Sequence, residues 1–421
     1  MLLTWRIALV VSWVGFCHVG EIEVAAEDSV FRPVALTSRV ADVQPMTGIV
    51  LWTTNEAVET APIQLEYSYF TYASVVAADG SFDWKPLEDV LDAVAKRKHQ
   101  LVLRWHDTYV GMPTGVPAHI KRMPGYRETK GRSEKKATDF PDWSHAGWRQ
   151  FVLDFFSEFS KRYDYDPRIA FVQVGFGLWS EYHIYDGPMK LGQTFPSLEY
   201  QTEFARHLAK TFVQTPWMIS VDAAGEQAPY AASPKLLDLR FGVFDDSFNH
   251  AKHAKENLPN WNTFRRNRWK TAPTGGEFSF FAKVDQTKAL APKGPHGIPF
   301  EKHAADFHIS FMIGDAQPEH QKPPRIREAG MACGYRFRVT KFEASADAAR
   351  VEIENRGIAP IYYDAFPAIG DVRAKESLKG LLPGERRTFA IAAGDASPTL
   401  TIECDRLVKG QRIGFDADLM R

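Results

Sequence analysis

The segment Ile169–His183, IAFVQVGFGLWSEYH, constrains the fold of this chain more than any other. It starts as an unbroken apolar run (Ile169, Ala170, Phe171, Val172, Val174), breaks into Gly175, Gly177 and Trp179, and then presents Glu181. A run with no polar alternation is what a parallel strand covered on both faces requires. An acidic residue just past the end of such a strand lies at the mouth of an α/β barrel, where barrel enzymes carry their chemistry. Glu277, in TAPTGGEFSF, has the same setting. Two carboxylates on different strand ends of one barrel point to cleavage of glycosidic bonds.

Further apolar runs recur at intervals that suit such a barrel. Gly48–Thr53, Ile63–Tyr72, Gln100–Trp105, Trp217–Val221, Leu239–Phe244, Glu277–Phe280 and His308–Ile313 join the opening run to make eight expected strands. Helical periodicity lies between several of them. Leu87, Val90, Leu91 and Val94 share one face, as do Trp148, Val152, Phe155 and Phe159, and likewise Phe204, Leu208 and Phe212. Eight strands alternating with helices predict a (β/α)₈ TIM barrel. Residues 107 to 143 read as a long polar loop.

Past about residue 330 the period changes to two. Tyr335–Phe342, Ala349–Glu354, Ile361–Phe366, Arg387–Ala392 and Thr399–Glu403 alternate as antiparallel strands do, which predicts a C-terminal β-sandwich. At the other end, Arg6 precedes the apolar run Ile7–Phe16, and Val24-Ala25-Ala26 offers small residues for cleavage. That layout predicts a signal peptide and a secreted or periplasmic protein with no membrane-spanning segment once mature. The expected organisation is residues 1–26 signal peptide, 27–330 barrel and 331–421 sandwich. Cys17 falls in the first of these; Cys333 and Cys404 are left as either one disulfide or two buried thiols.

The net charge of −1 provides no field that would draw in nucleic acid. Aromatic residues at 13%, with 11 Trp, suit a carbohydrate partner stacked on rings, though large cores use them too. Candidate substrate contacts are the strand-end residues Arg104, Trp105, His106 and Asp107, then Trp179 and His183, then Asp245, Asp246 and His250. No cofactor or metal motif is present, since Asp245, Asp246, Asn249 and His250 lack the spacing of a metal loop. Two basic clusters, Lys121–Lys136 and Arg265–Lys270, would favour an anionic glycan if they border the cleft; otherwise they are solvated faces.

Several short motifs, in order, are similar to those of one family. Asp79-Gly80-Ser81-Phe82-Asp83-Trp84 resembles an EG-x-YDW segment, and Val116-Pro117-Ala118 a PPAW loop. Arg162-Tyr163-Asp164 and Asp166-Pro167-Arg168 lead into Gly177–His183, which resembles G-x-WGEWH. Phe244-Asp245-Asp246, Gly275-Gly276-Glu277 and Asn355–Pro360 complete the series. The chain thus resembles the family catalogued as domain of unknown function 4832, similar in turn to β-galactosidase-like clan A glycoside hydrolases. The resemblance implies a retaining glycosidase with Glu181 as acid/base and Glu277 as nucleophile. Two departures stand out. Ser180 replaces the Asn that usually precedes the acid/base, and the strand-two Arg is missing near Tyr69–Phe70, leaving Arg104 as the cation near the nucleophile. The rival reading is a non-catalytic glycan-binding protein on a degenerate TIM barrel.

Overall fold

The computed structural model describes residues 30–395 and 397–420, without the side chains of residues 253 and 254. The expected signal peptide and Cys17 lie outside the described residues. Eight strands form a closed barrel: β1 (Gly48–Trp52), β2 (Leu65–Thr71), β3 (Gln100–His106), β4 (Ile169–Gln173), β5 (Trp217–Ser220), β6 (Gly242–Phe248), β7 (Thr274–Phe278) and β8 (Phe311–Ile313). Each pairs in parallel with its neighbours in chain order, and β8 closes on β1. Helices α1 (Lys85–Lys96), α2 (Ala146–Tyr163), α3 (Leu198–Thr211), α4 (His253–Thr263), α5 (Phe300–Phe307) and α6 (Pro323–Met331) lie between or after them. This is the TIM-barrel architecture that the apolar runs predict.

Strand alternation divides each strand between two cores. Along β3, Leu101, Leu103 and Trp105 pack outward with α1 and α2, while Val102 joins the barrel interior. Three strands start three residues away from expectation. β6 starts three residues later than Leu239, and β8 starts at Phe311 because His308 caps α5 in a left-handed turn (φ +54°). β7 starts earlier, at Thr274, and so contains both glycines. A Cβ on Gly275 would lie 2.5 Å from the ring of Phe311, its register partner on the neighbouring β8, so the barrel accepts only glycine there.

The polar stretch 107–143 is not all loop. Thr129–Ser133 and Lys136–Phe140 form a hairpin whose two turn residues, Glu134 and Lys135, both have positive φ. Its strands are mostly solvated and charged, which hides the period-two pattern.

The C-terminal region builds two sheets about a shared core. Phe337–Ala344, Ala349–Asn355, Arg386–Ile391 and Phe415–Leu419 form one, and it also takes Arg32–Pro33 and Leu36–Ser38 from the start of the described chain. Phe366–Ile369, Val372–Arg373 and Leu400–Glu403 form the other. Residues 361–365, expected as a strand, instead turn two tyrosines toward the barrel: Tyr363 donates to the Ala170 carbonyl and Tyr362 to that of Trp269. The interior barrel residues Val50, Tyr67, Val102, Phe171 and Phe311 belong to one continuous cluster with Tyr335, Phe337, Tyr363 and Phe415. The sheets therefore seal the end of the barrel at which the strands begin, and the opposite mouth stays open. Cys333 and Cys404 are both buried free thiols.

Arg406 fastens this seal. Its buried guanidinium donates to the carbonyls of Asp164 and Ile169, each at 3.0 Å, and to Thr215 Oγ1 at 2.9 Å. Arg406→Met keeps the stem and leaves buried acceptors unpaired, a loss of about 3 kcal/mol of stability. Urea unfolding measures it; an unchanged midpoint would show that the seal does not depend on this residue.

Candidate active site

Arg104 projects from β3 into the barrel and is fully buried. Its Nε donates to Gln173 Oε1 at 2.7 Å, and its Nη1 to Tyr69 Oη at 2.9 Å, to the Trp179 carbonyl at 3.3 Å and to Glu181 Oε1 at 2.5 Å. The guanidinium carbon sits 4.4 Å from the Phe244 ring centre. A buried cation persists only when paired and hydrogen-bonded, and Glu181 provides the charge.

Glu181 reaches Arg104 because the chain after β4 folds back on itself. A Cβ on Gly175 would lie 2.0 Å from the Ser180 carbonyl oxygen, so the tuck requires glycine. Trp179 (φ +52°), Ser180 (+61°) and Tyr182 (+63°) all adopt left-handed backbone, a strain that clusters at functional sites and needs firm support. Support comes from Trp179 N donating to the Thr108 carbonyl, and from Ser180 Oγ donating to the Trp105 carbonyl at 2.7 Å. Ser180 is buried, its hydroxyl committed to that backbone carbonyl.

The charges around the two glutamates differ. Burial alone would raise the Glu181 carboxyl, but His183, 3.5 Å from Oε2, and the Arg104 guanidinium outweigh it and hold Glu181 below the usual carboxylate range. Glu277 on β7 is half-buried and has no comparable partner. Burial pushes it up to about 8; Arg104 offsets part of this, while Glu181 and Asp315 add repulsion. These surroundings favour the ionised form of Glu181 and the protonated form of Glu277, whereas the resemblance implies Glu181 as acid/base and Glu277 as nucleophile.

Two further carboxyls face the same mouth. Asp222, just past β5, lies 3.6 Å from His183 Nε2 and is raised by burial against the pull of that imidazole. Asp246 on β6 accepts from Ser220 Oγ at 3.3 Å; burial and the nearby Glu181, Asp222 and Asp245 hold it well above the carboxylate range. His183 itself is lowered by burial but raised more by Glu181 and Asp222.

A crescent of rings lines the other side. Tyr69 meets His106 at 5.2 Å and Tyr109 at 5.9 Å, Tyr109 meets Trp179 at 6.2 Å, and Trp179 stacks on the exposed Tyr185. His106 is kept neutral, pushed down to about 4 by burial and by Arg104. His250 sits 4.3 Å from the exposed Phe281 ring on the opposite rim.

The structure thus brings Arg104, His106, Trp179, Glu181, His183, Asp246 and Glu277 to one mouth, with His250 at its edge. Trp105, Asp107 and Asp245 are not there, because alternation turns them toward the helices. Trp105 packs on Phe155 and Phe159; Asp107 is buried beside Trp143 and pushed up to about 7 by desolvation. Asp245 accepts from Asn257 Nδ2 and Trp261 Nε1 of α4. Tyr69, Gln173 and Asp222 are functional candidates the sequence reading missed. Period two along β2 and β3 would have found Tyr69, which pairs in register with Arg104. Several members of the two basic clusters are tied to partners of their own. Arg268 donates to the carbonyls of Leu237 and Phe241 near the strand starts, and Lys121 and Lys130 pair with Glu128 and Asp139. Among the described residues, no three His, Cys, Asp or Glu are placed to hold a metal ion, and no helix is long and apolar enough to cross a membrane.

No family model and no curated protein matches the chain. Solved structures with a similar fold include the galactosidase domain of the α-galactosidase-sucrose kinase AgaSK (12% identity, TM-score 0.39, covering 85% of this chain). The chain spans 56% of that protein. The catalytic domain of β-amylase from Paenibacillus polymyxa (10% identity, TM-score 0.44) covers 69% of this chain and is itself covered to 99%. A GH5-4 broad specificity endoglucanase from an uncultured bacterium (12% identity, TM-score 0.41) covers 68% and is covered to 85%. At these identities the likeness is one of fold.

The raised Glu277 carboxyl makes a stability prediction. An unfolded glutamate titrates near about 4.3, so the folded protein binds the extra proton above that pH. The stability this group contributes is full below about 4.3 and is lost as pH rises through about 8. Glu277→Gln has no such titration and should gain on the wild type between those limits. Urea midpoints of both proteins at pH 5, 7 and 9 test this; a constant difference would contradict it.

Proposed function

We propose that this protein is a glycoside hydrolase, exported by its N-terminal segment and acting on an oligo- or polysaccharide held in the open barrel mouth. The observation that carries the reading is the placement of Glu181 and Glu277 at the ends of β4 and β7 of one barrel, with buried Arg104 paired to Glu181 and the two carboxyls shifted in opposite directions. Carboxyls whose environments push their proton affinities apart are how glycosidases divide acid from base work.

In a retaining route with the two roles exchanged from those the resemblance implies, Glu277 gives its proton to the glycosidic oxygen as the C–O bond breaks. The Glu181 carboxylate bonds to the anomeric carbon, and its negative charge is consumed. Water then displaces Glu181 from that carbon and returns its proton to Glu277. The ring crescent from Tyr69 to Tyr185 offers stacking faces to sugar rings. The likeness to the domain of unknown function 4832 family and to clan A supports this class of activity on motif order alone.

One observation favours the second reading, a glycan-binding protein without turnover. Both Glu181 oxygens are engaged, by Arg104 and by His183, and Ser180 is turned away. Assays of Glu181→Gln and Glu277→Gln on a panel of aryl glycosides and oligosaccharides decide between the two. A hydrolase should lose on the order of 10²-fold or more in kcat/KM in each variant. Its wild-type activity should also fall as pH rises through about 8, because the donor must carry its proton. A wild type that turns over nothing, with calorimetric glycan affinity equal in all three proteins, would establish the binder.

A further inference from the structure

Asp222 has no place in the motifs that carry the family resemblance, yet its surroundings are built with care. It opens the turn Val221–Ala224 at the end of β5, where Ser220 Oγ accepts from its backbone N–H at 3.1 Å. Asn260 Nδ2, from α4, donates to its Oδ1 at 3.2 Å. Gln227 Nε2 donates both to the Asp222 carbonyl and to the Tyr182 carbonyl, each at 2.9 Å. That one amide ties the Asp222 turn to the strained loop that carries Glu181. Between the two carboxylates stands His183, with the same nitrogen 3.5 Å from Glu181 and 3.6 Å from Asp222.

We infer that Asp222 is a positioning residue of this site, which through His183 holds the Glu181 carboxylate in its place above Arg104. The charged and ring groups around His183 are Glu181 on its own loop, Asp222 from the β5 end, and the rings of Trp179 and Tyr185. Arg104 lies on the far side of Glu181, and Asp246 adjoins Glu181 and Asp222 from β6. Glu181 and Asp222 both act to favour the protonated His183 ring, against the burial that disfavours it. Resting on the hydrolase reading, the consequence is electrostatic. When Glu181 spends its charge on the sugar carbon, His183 remains paired with Asp222 and does not stand as a lone cation beside a carbon that is itself becoming positive.

The test is an NMR titration of the His183 ring in the full chain, with His183→Gln to assign its signal. In Asp222→Asn the titration should move to lower pH, since one of the two carboxylates that favour the protonated ring is gone. Asn260→Ala, which frees Asp222 without removing it, should move it the same way by less, and stands in if Asp222→Asn does not fold. In kinetics Asp222→Asn should lower kcat by about tenfold, the scale of partners that orient a functional histidine, with KM little changed. A His183 titration identical in wild type and both variants would overturn the inference. The ring titration needs no turnover, so a wild type inactive on every glycan would defeat the hydrolase proposal and leave this result readable.

Discussion

A single buried guanidinium organises the open end of this barrel. Arg104 is surrounded by Tyr67, Tyr69 and Phe244, surfaces that solvate an ion poorly, and its charge must be balanced inside the protein. Gln173 and Tyr69 take up two of its donors, and Glu181 supplies the opposite charge. The strained left-handed residues of the loop after β4 are tolerated because they bring that carboxylate back over the strand it came from. The same cation acts on Glu277 only at longer range, so the proton affinities of the two glutamates shift in opposite directions.

The rest of the fold serves to leave one mouth open. Residues from both ends of the described chain build the sheets that close the starting ends of the strands, with Arg406, Tyr362 and Tyr363 satisfying barrel carbonyls there. The loops that follow the strands meet at the other end, where parallel barrels place variable, chemistry-bearing segments. There the wall from Tyr69 to Tyr185 is aromatic, and the wall from Asp222 to Glu277 is acidic.

Much of this was legible in the chain. Most of the barrel strands were visible because they are buried on both faces and read as apolar runs, while β7, TGGEF, was marked by its glycines and glutamate. The glycines before Glu181 and Glu277 marked close backbone approach, and the structure shows where: Gly175 against Ser180, Gly275 against Phe311. What escaped has a common cause. The Thr129–Phe140 hairpin carries its charges into solvent and so lacks an apolar face to recognise. Residues 361–365 have strand-like composition but spend their tyrosines on barrel carbonyls, a demand that only the packed partner makes.

The sequence by itself determined the barrel, the change of period near residue 330, and the position of two glutamates at strand ends, since these depend on local periodicity and on where glycine is indispensable. Only the tertiary structure decided which neighbours face the mouth. His106 and Asp107 are adjacent in the chain, but strand parity sends one into the cleft and the other among the helices. Protonation was also beyond the chain's local pattern. The states of Glu181 and Glu277 follow from Arg104 on β3, His183 after β4 and Asp315 after β8, groups separated in sequence and brought together by barrel closure. Coulomb interactions act through space, and no spacing along the chain encodes them.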